Sequence, residues 1–216
     1  MNKKLTLLGM SGGIIVLLLF LGVLFLSYET VEYPDYASAA TSTTVDVTAT
    51  VAEEISCSTP SGSTAFGTLP TGSITTSSPN TTTTMSCGNV SGGCTLYVKD
   101  VGDTSDPGLA TTSPAYLIPS PNAAYDASTT LSFGTEGYGI QATTTTGGSG
   151  AQFSVALRYL VTGDDVGGLT ITNTTIVSTS ATTSGRAIES THKAAISATT
   201  QAGAYEDTIT YECTAT

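Results

Sequence analysis

Short runs of alternating apolar and polar residues recur along most of this chain. Val45–Val51 is the first such run, and Cys94–Lys99 and Gly137–Ala142 repeat the pattern. Successive side chains of a β-strand point to opposite faces, so a period of two residues is typical of half-buried strands. Because Gly, Pro, Asn and Ser separate the runs, we predict turns between short strands and no amphipathic helix after Thr41.

Four more runs complete the pattern towards the C-terminus. They are Phe153–Leu160, Gly168–Val177, Ala187–Ser197 and Tyr205–Cys213. In the last of them, one face of the strand would hold Tyr205, Asp207, Ile209, Tyr211 and Cys213. Seven to nine strands at this spacing predict an all-β protein, a single antiparallel β-sandwich, rather than strands that alternate with helices.

The composition agrees with the strand pattern and argues against two classes of function. Thr supplies 43 of the 216 residues, and its β-branched side chain favours extended backbone while its hydroxyl suits a solvent-facing position. Six Lys and Arg residues against 17 acidic ones give a net charge of −11, which argues against nucleic-acid binding. With one His and no nucleophile motif, we predict no enzyme activity and no cofactor.

The N-terminal residues 1–39 are predicted to be a signal peptide or a membrane anchor with a polar spacer. Lys3 and Lys4 precede an uncharged run of residues 5–26, which as a helix could cross about 30 Å of hydrocarbon. The small residues of Ala37-Ser38-Ala39-Ala40 fit a signal-peptidase site. Cleavage after Ala39 is the favoured reading, and a retained anchor is the alternative.

Both readings place residues 40–216 outside the cell, because the basic residues stay on the cytoplasmic side. The predicted location is therefore extracellular, at the cell surface. Contact with a membrane would be made only through the N-terminal segment, if that segment is uncleaved.

All four cysteines, Cys57, Cys87, Cys94 and Cys213, lie in the exported part. An even number of cysteines in an oxidising compartment predicts two disulfides. Zinc is the competing interpretation, but the chain has no pair of cysteines two residues apart and only one histidine.

Three carboxylates recur at a spacing of three residues in a loop that contains Gly and Pro. Asp100, Asp103 and Asp106 could offer hard oxygen ligands to calcium. The EF-hand spacing and its final Glu are absent, so a solvated acidic loop is the preferred interpretation. We predict no metal site, with these three residues as the only calcium candidate.

Three elements resemble the spore coat protein U-like and archaic chaperone–usher pilin family. The first is Val45–Val51 leading to Cys57. The second is Phe66-Gly67-Thr68-Leu69, followed by a strand that ends at Met85-Ser86-Cys87. The third is Ala202–Thr210, which is similar to the family's closing Ala-Gly-x-Tyr-x-Asp-Thr strand. The chain also looks like Thr-rich exported proteins of very small uncultured bacteria.

The resemblance implies an Ig-like sandwich over residues 40–216 and a specific disulfide pairing. The family bridges its first two strands, which here implies Cys57–Cys87. An Ig-like order sets the next strand antiparallel to the last one, which implies Cys94–Cys213. The alternative pairing joins Cys87 to Cys94 across the intervening turn and leaves Cys57 with Cys213; sequence alone leaves both open.

The resemblance also implies assembly by strand donation, in which a neighbour's N-terminal extension completes an unfinished sandwich. The alternating Val45, Val47, Ala49 and Val51 could be that donor strand, or they could be the domain's own first strand. We favour self-pairing here, because Cys57 follows closely and its bridge would hold the segment near its own core.

The function predicted from these features is that of a non-enzymatic exported surface protein, structural or adhesive, which could be a subunit of a filament or coat. Its partners would be copies of itself or another surface subunit. The alternative is a monomeric, membrane-tethered module that recognises a carbohydrate or a host surface.

Overall fold

The computed structural model describes residues 41–60, 62–112, 115–121 and 127–216, and the chain divides into two units, 1–48 and 49–216. The predicted N-terminal helix and the cleavage site at Ala37, Ala39 and Ala40 lie outside the described residues. The described part contains no helix, and so none that is long and apolar enough to cross a membrane. The chain is all-β in this part, as the alternating pattern predicts.

Unit 49–216 is built on two antiparallel sheets. The larger sheet has the order β1-β3-β13-β8-β11-β7, with β2 and β9 also pairing with β13. Its strands are β1 (Glu54–Ser58), β2 (Thr75–Thr76), β3 (Thr81–Gly88), β7 (Ser128–Thr130), β8 (Gly137–Thr144), β9 (Ser149–Gly150), β11 (Asp165–Gly167) and β13 (Thr183–Ala195). We call this the first sheet.

The second sheet has the order β10-β12-β4-β14, and a separate hairpin joins β5 to β6. Their strands are β4 (Cys94–Asp100), β5 (Gly108–Thr112), β6 (Ala115–Pro119), β10 (Ser154–Val155), β12 (Thr174–Ser178) and β14 (Ile209–Ala215). The expected antiparallel pairing of the strand after Cys94 with the last strand is confirmed, since β4 pairs with β14 along its whole length.

The larger of two hydrophobic clusters among the described residues draws on both sheets. Met85, Ile140 and Ile188 of the first sheet, and Leu96 and Val98 of the second, are all fully or almost fully buried in it. Buried positions alternate with half-buried ones along all of β3, as the alternating sequence predicts, whereas Thr95 and Gly139 interrupt the alternation because they are buried too.

Several predicted strands form where the alternation placed them, and others do not. Cys94–Lys99, Gly137–Ala142 and most of Ala187–Ser197 lie in strands. In Phe153–Leu160 only Ser154 and Val155 are in a strand, because the chain then turns: the Leu160 N–H donates to the Ala156 carbonyl. A one-turn reversal leaves Leu157 exposed, which the alternating pattern did not reveal.

The pairing of the cysteines differs from the one that the resemblance implies. The disulfides are Cys57–Cys213 and Cys87–Cys94, with Cα–Cα distances of 6.0 and 6.4 Å. Cys57–Cys87 and Cys94–Cys213 are therefore wrong, and the alternative pairing is confirmed.

The strand registers explain this correction. Cys57 lies opposite Met85 rather than Cys87, and Cys213 lies opposite Leu96 rather than Cys94. Each of the implied bonds would join two strands of the same sheet. Both actual bonds join the first sheet to the second.

Candidate functional site

A groove of about 1180 Å³ lies beside β14 in the described part of the β-domain. One side is the loop 62–69 and the other is the chain from residue 200 to residue 211. The remaining lining residues come from strands and loops of the domain: Thr59, Thr81, Leu109, Tyr138, His192 and Ile196. The groove follows the edge of the second sheet.

The groove exists because two strands at the same side of the molecule have no further strand partner in the described part of the chain. β14 is the last strand of the second sheet, and β1 is the first strand of the first sheet. Cys57 and Cys213 bond these two edges together. Beyond that bond β1 ends at Ser58, and the chain leaves the sheet as a loop.

Backbone hydrogen-bonding groups of β14 face this opening. Thr208 accepts a hydrogen bond from Val101, and Thr216 donates one to Gly93, so alternate residues of the strand turn their backbone towards β4. In an antiparallel pair the residues between them turn the other way. The N–H and C=O groups of Ile209 and Tyr211 therefore point away from β4, to the free edge of the strand.

The free edge is short. At one end it is bounded by the Cys57–Cys213 bond, and at the other the chain leaves the sheet to pair with the β5–β6 hairpin. There Glu206 and Ala110 exchange two backbone hydrogen bonds, of 2.9 and 3.0 Å. Six residues, 207–212, separate the two ends, so an added strand would pair over about that length.

Part of the groove wall is apolar. Phe66, Leu69, Ile196 and Ile209 are partly buried hydrophobic residues that pack against the core and also line the groove. Phe66 meets the ring of Tyr138 edge to face, with 6.1 Å between ring centroids. Partial burial means that part of each side chain remains available to a further apolar group.

The floor of the groove is polar and deeply buried. The hydroxyl of Tyr138 lies 3.0 Å from Nδ1 of His192, and the two rings are stacked. Burial lowers the pKa of His192 to about 4, and the nearby Asp207 charge opposes this only in part. At neutral pH the imidazole is therefore uncharged, and Nδ1 can accept the hydrogen bond from Tyr138.

A pair of carboxyl groups lies next to this floor. Asp100, at the end of β4, is completely buried, and its carboxyl group lies next to that of Asp207, which lines the groove. Asp207 Oδ1 also accepts a hydrogen bond from the Gly102 N–H. Burial, and then the neighbouring Asp207, raise the pKa of Asp100 to about 9. We call Asp100 and Asp207 the acid pair.

The three residues that the sequence offered as a calcium candidate do not lie in the same environment. Asp100 is inside, whereas Asp103 and Asp106 are exposed. Oδ1 of Asp103 accepts hydrogen bonds from the N–H groups of Ser105 and Asp106, which makes it a turn-stabilising residue. Among the described residues, no group of three acidic, His or Cys side chains is arranged to hold a metal ion.

The segment that carries the candidate donor residues forms no strand. Residues 41–53 have no regular structure, and Val45, Val47 and Val51 are 83%, 89% and 75% exposed; Ala49 is exposed as well. The expectation that this segment is the first strand of its own domain is therefore wrong. The first strand begins at Glu54, where the inward positions are Ile55 and Cys57.

The sequence held a signal for each member of the acid pair. Asp207 was placed on one face with Ile209 and Tyr211, and the alternating burial of β14 and its preceding residues confirms that face. Asp100 continues the inward series Cys94, Leu96 and Val98 of β4. Their meeting depends on the register that sets Asp100 opposite Ile209, which the sequence does not specify.

Comparison with family models, with curated proteins and with solved structures gives no match to this chain.

Proposed function

We propose that this chain is a non-enzymatic, exported surface protein whose Ig-like β-sandwich is completed by an extended segment of a second copy. The segment is residues 45–51, and its acceptor is the groove beside β14. A series of such contacts would build a filament or a coat. The two disulfides support this location, since such bonds persist in oxidising compartments.

The observation that carries the proposal is the match between an unpaired strand edge and an unpaired alternating segment. Ile209 and Tyr211 turn backbone groups towards an apolar groove, and an added strand gains affinity from such groups. Val45, Val47, Ala49 and Val51 share one face of an extended chain, and the three valines are highly exposed. Inserting them would remove apolar surface from water and hydrogen-bond the free edge.

The length of the acceptor fits that of the segment. The free edge spans the six residues 207–212, between the Glu206–Ala110 pairing and Cys213. Residues 45–51 offer seven residues with apolar side chains at every second position. Alternate side chains entering separate parts of the groove would set the register of the contact.

A charge at one position of the segment tests the proposal. Val47→Asp places a carboxylate among the apolar walls, so assembly of the full chain should weaken at least about tenfold, because an unpaired charge is costly to bury. Thr48→Asp is the matched control, since it adds the same charge on the opposite face. Size-exclusion chromatography with light scattering, and electron microscopy of the cell surface, would measure assembly.

Removing the segment gives a second test of the same contact. A full chain that lacks residues 41–51 should stay folded, since this part forms no strand, but should no longer assemble. If this variant or Val47→Asp assembles like the wild type, the proposed contact is wrong.

The second candidate is a membrane-tethered module that recognises a carbohydrate. One observation favours it: the groove combines the aromatic rings of Tyr205, Tyr138 and Phe66 with polar side chains, and aromatic groups with a polar handle suit amphipathic ligands. If the wild-type chain is monomeric and binds oligosaccharides, with binding lost in Tyr205→Ala, this function replaces strand exchange.

A further inference from the structure

The acid pair is buried: both oxygens of Asp100 and Oδ2 of Asp207 have almost no accessible surface. Within the described part of the chain no cation acts on Asp100, and the backbone N–H groups of Gly102 and Gly108 lower the pKa of its carboxyl group only in part. Two carboxylates in contact cannot both be ionised in a poorly solvated site, so one proton is shared between them.

The groups that face the pair come from four elements. Asp207 precedes β14 and Asp100 ends β4, while Tyr138 of β8 and His192 of β13 lie beside Asp207, and Tyr211 of β14 is a neighbour of Tyr138. Both tyrosines are neutral at physiological pH, as phenols ordinarily are, and burial raises the pKa of each hydroxyl further. His192 is neutral because burial lowers the pKa of its imidazole.

Within the described part of the chain, Asp207 is the charged group that acts on Asp100. The guanidinium of Arg158 lies over the ring of Tyr159, 4.7 Å from its centroid. Lys99 is next to Asp100 in β4 but alternates to the other face of the strand, and Lys193 lies 3.2 Å from Asp164 in an ion pair. The shared proton is therefore the group that neutralises the pair.

Asp207 is the member of the pair that lines the groove, beside Tyr138 and His192, and the residue as a whole is half-buried. A chain that fills the groove replaces the water around Asp207 with protein, although Oδ2 itself is already buried. Desolvation favours the neutral form of a carboxyl group, so a filled groove holds the shared proton more tightly than an empty one.

We propose that occupation of the groove is coupled to retention of the proton on the acid pair, so that the inserted strand is released as the solution becomes alkaline. This inference rests on the proposed strand exchange, in which residues 45–51 of one copy insert into the groove of another, and it makes that contact depend on pH. The direction of the effect follows from linkage. A strand that binds better to the protonated form of the protein raises the affinity of the acid pair for its proton, so loss of that proton weakens the binding of the strand.

The test uses a labelled synthetic peptide of residues 41–53 and the full chain that lacks residues 41–51. Peptide affinity, measured by fluorescence anisotropy, should be about constant below pH 8 and fall about tenfold by about pH 10. Asp100→Asn removes the shared proton, so its affinity should change less than about twofold over this range. Asp106→Asn is the matched control, because Asp106 is exposed, and it should keep the wild-type pH dependence.

A second measurement follows the proton without the peptide. Infrared spectroscopy of the wild type at neutral pH should show the carbonyl stretch of a protonated carboxylic acid, and Asp100→Asn should lack it. If Asp100→Asn does not fold, Asp207→Asn removes the neighbour that adds to the effect of burial on Asp100, so the fall in peptide affinity should begin at a lower pH than in the wild type.

The outcomes separate this inference from the proposed function. A peptide that binds equally well at pH 7 and pH 10, or a wild type without the infrared band, overturns the inference and leaves strand exchange intact. A peptide that binds at no pH overturns strand exchange, and the proton coupling falls with it. A fall in affinity that Asp100→Asn abolishes supports both.

Discussion

His192 is the only histidine of the chain, and its position makes it sensitive to acid. Its side chain is 3% exposed, and Nδ1 faces the Tyr138 hydroxyl at 3.0 Å. Burial disfavours the charged imidazolium, which is why the pKa lies at about 4 rather than 6.5. The unfolded chain takes up a proton at a higher pH than the folded one, so folding is opposed as the pH falls.

We predict that His192→Gln lessens acid denaturation. Because the folded pKa is depressed, this residue's contribution to stability is fully present above about pH 6.5 and is lost as the pH falls to about 4. At about 1.4 kcal/mol for each pKa unit, the loss in the wild type is about 3 kcal/mol. Urea unfolding at pH 7, 5.5 and 4.5 would measure the difference between wild type and variant.

Thr191→Ala, on the outer face of the same strand, should keep the wild-type pH dependence. If His192→Gln loses as much stability between pH 7 and pH 4.5 as the wild type does, then His192 is not the residue that makes the fold sensitive to acid.

At the scale of elements, the two disulfides stabilise different parts of the β-domain. Cys87–Cys94 closes the turn that carries the chain from β3 in the first sheet to β4 in the second. Cys57–Cys213 joins the edge strands β1 and β14 and bounds one end of the groove. The second bond connects residues far apart in sequence, so it restricts the unfolded chain much more.

We predict unequal losses when the bonds are removed in pairs. The sequence separations are 156 and 7 residues. In the chain-entropy model the free energy of unfolding should fall by about 5 kcal/mol in Cys57→Ala with Cys213→Ala, and by about 2.5 kcal/mol in Cys87→Ala with Cys94→Ala. Urea denaturation of both variants would measure this, and equal losses would contradict it.

Peptide mapping under non-reducing conditions checks the pairing itself. A digest that cleaves between Cys57 and Cys87 should leave Cys87 and Cys94 within one peptide that their bond closes into a loop, and should release a peptide pair linked through Cys57 and Cys213. Recovery of a Cys57–Cys87 pair would contradict the bonds described here.

For the whole molecule, the shared core makes the two sheets one cooperative unit. Leu96 of the second sheet and Ile188 of the first are both fully buried in the same cluster. Neither sheet can bury its apolar face without the other, because each supplies only one side of the core.

Large-to-small substitutions in either sheet should therefore lower the same single transition. Leu96→Ala and Ile188→Ala should each cost about 3 kcal/mol, the sum of lost apolar burial and the cavity left behind. Ser56→Ala, at an exposed position of β1, should change stability by less than about 0.5 kcal/mol. Calorimetry together with circular dichroism would detect one transition or two, and two would show that the sheets unfold separately.

The sequence by itself determined the class of the fold and much of its inward pattern. Thr, Val and Ile in alternation specify which side of a strand is buried, because adjacent side chains point to opposite faces. That local rule was enough to place Tyr205, Asp207, Ile209, Tyr211 and Cys213 on one face. It was also enough to predict all-β structure without a helix in the described residues.

Only the tertiary structure decided which of these residues meet. Apolar and polar residues alternate in the same way in a segment that pairs with another strand and in one that does not. Residues 45–51 therefore have the pattern of a strand but form none. Register is a property of two strands, and it places Cys57 against Met85 and Asp100 near Asp207. The cysteine pairing, the open edge of β14 and the acid pair beneath the groove all depend on such long-range packing, which no local pattern contains.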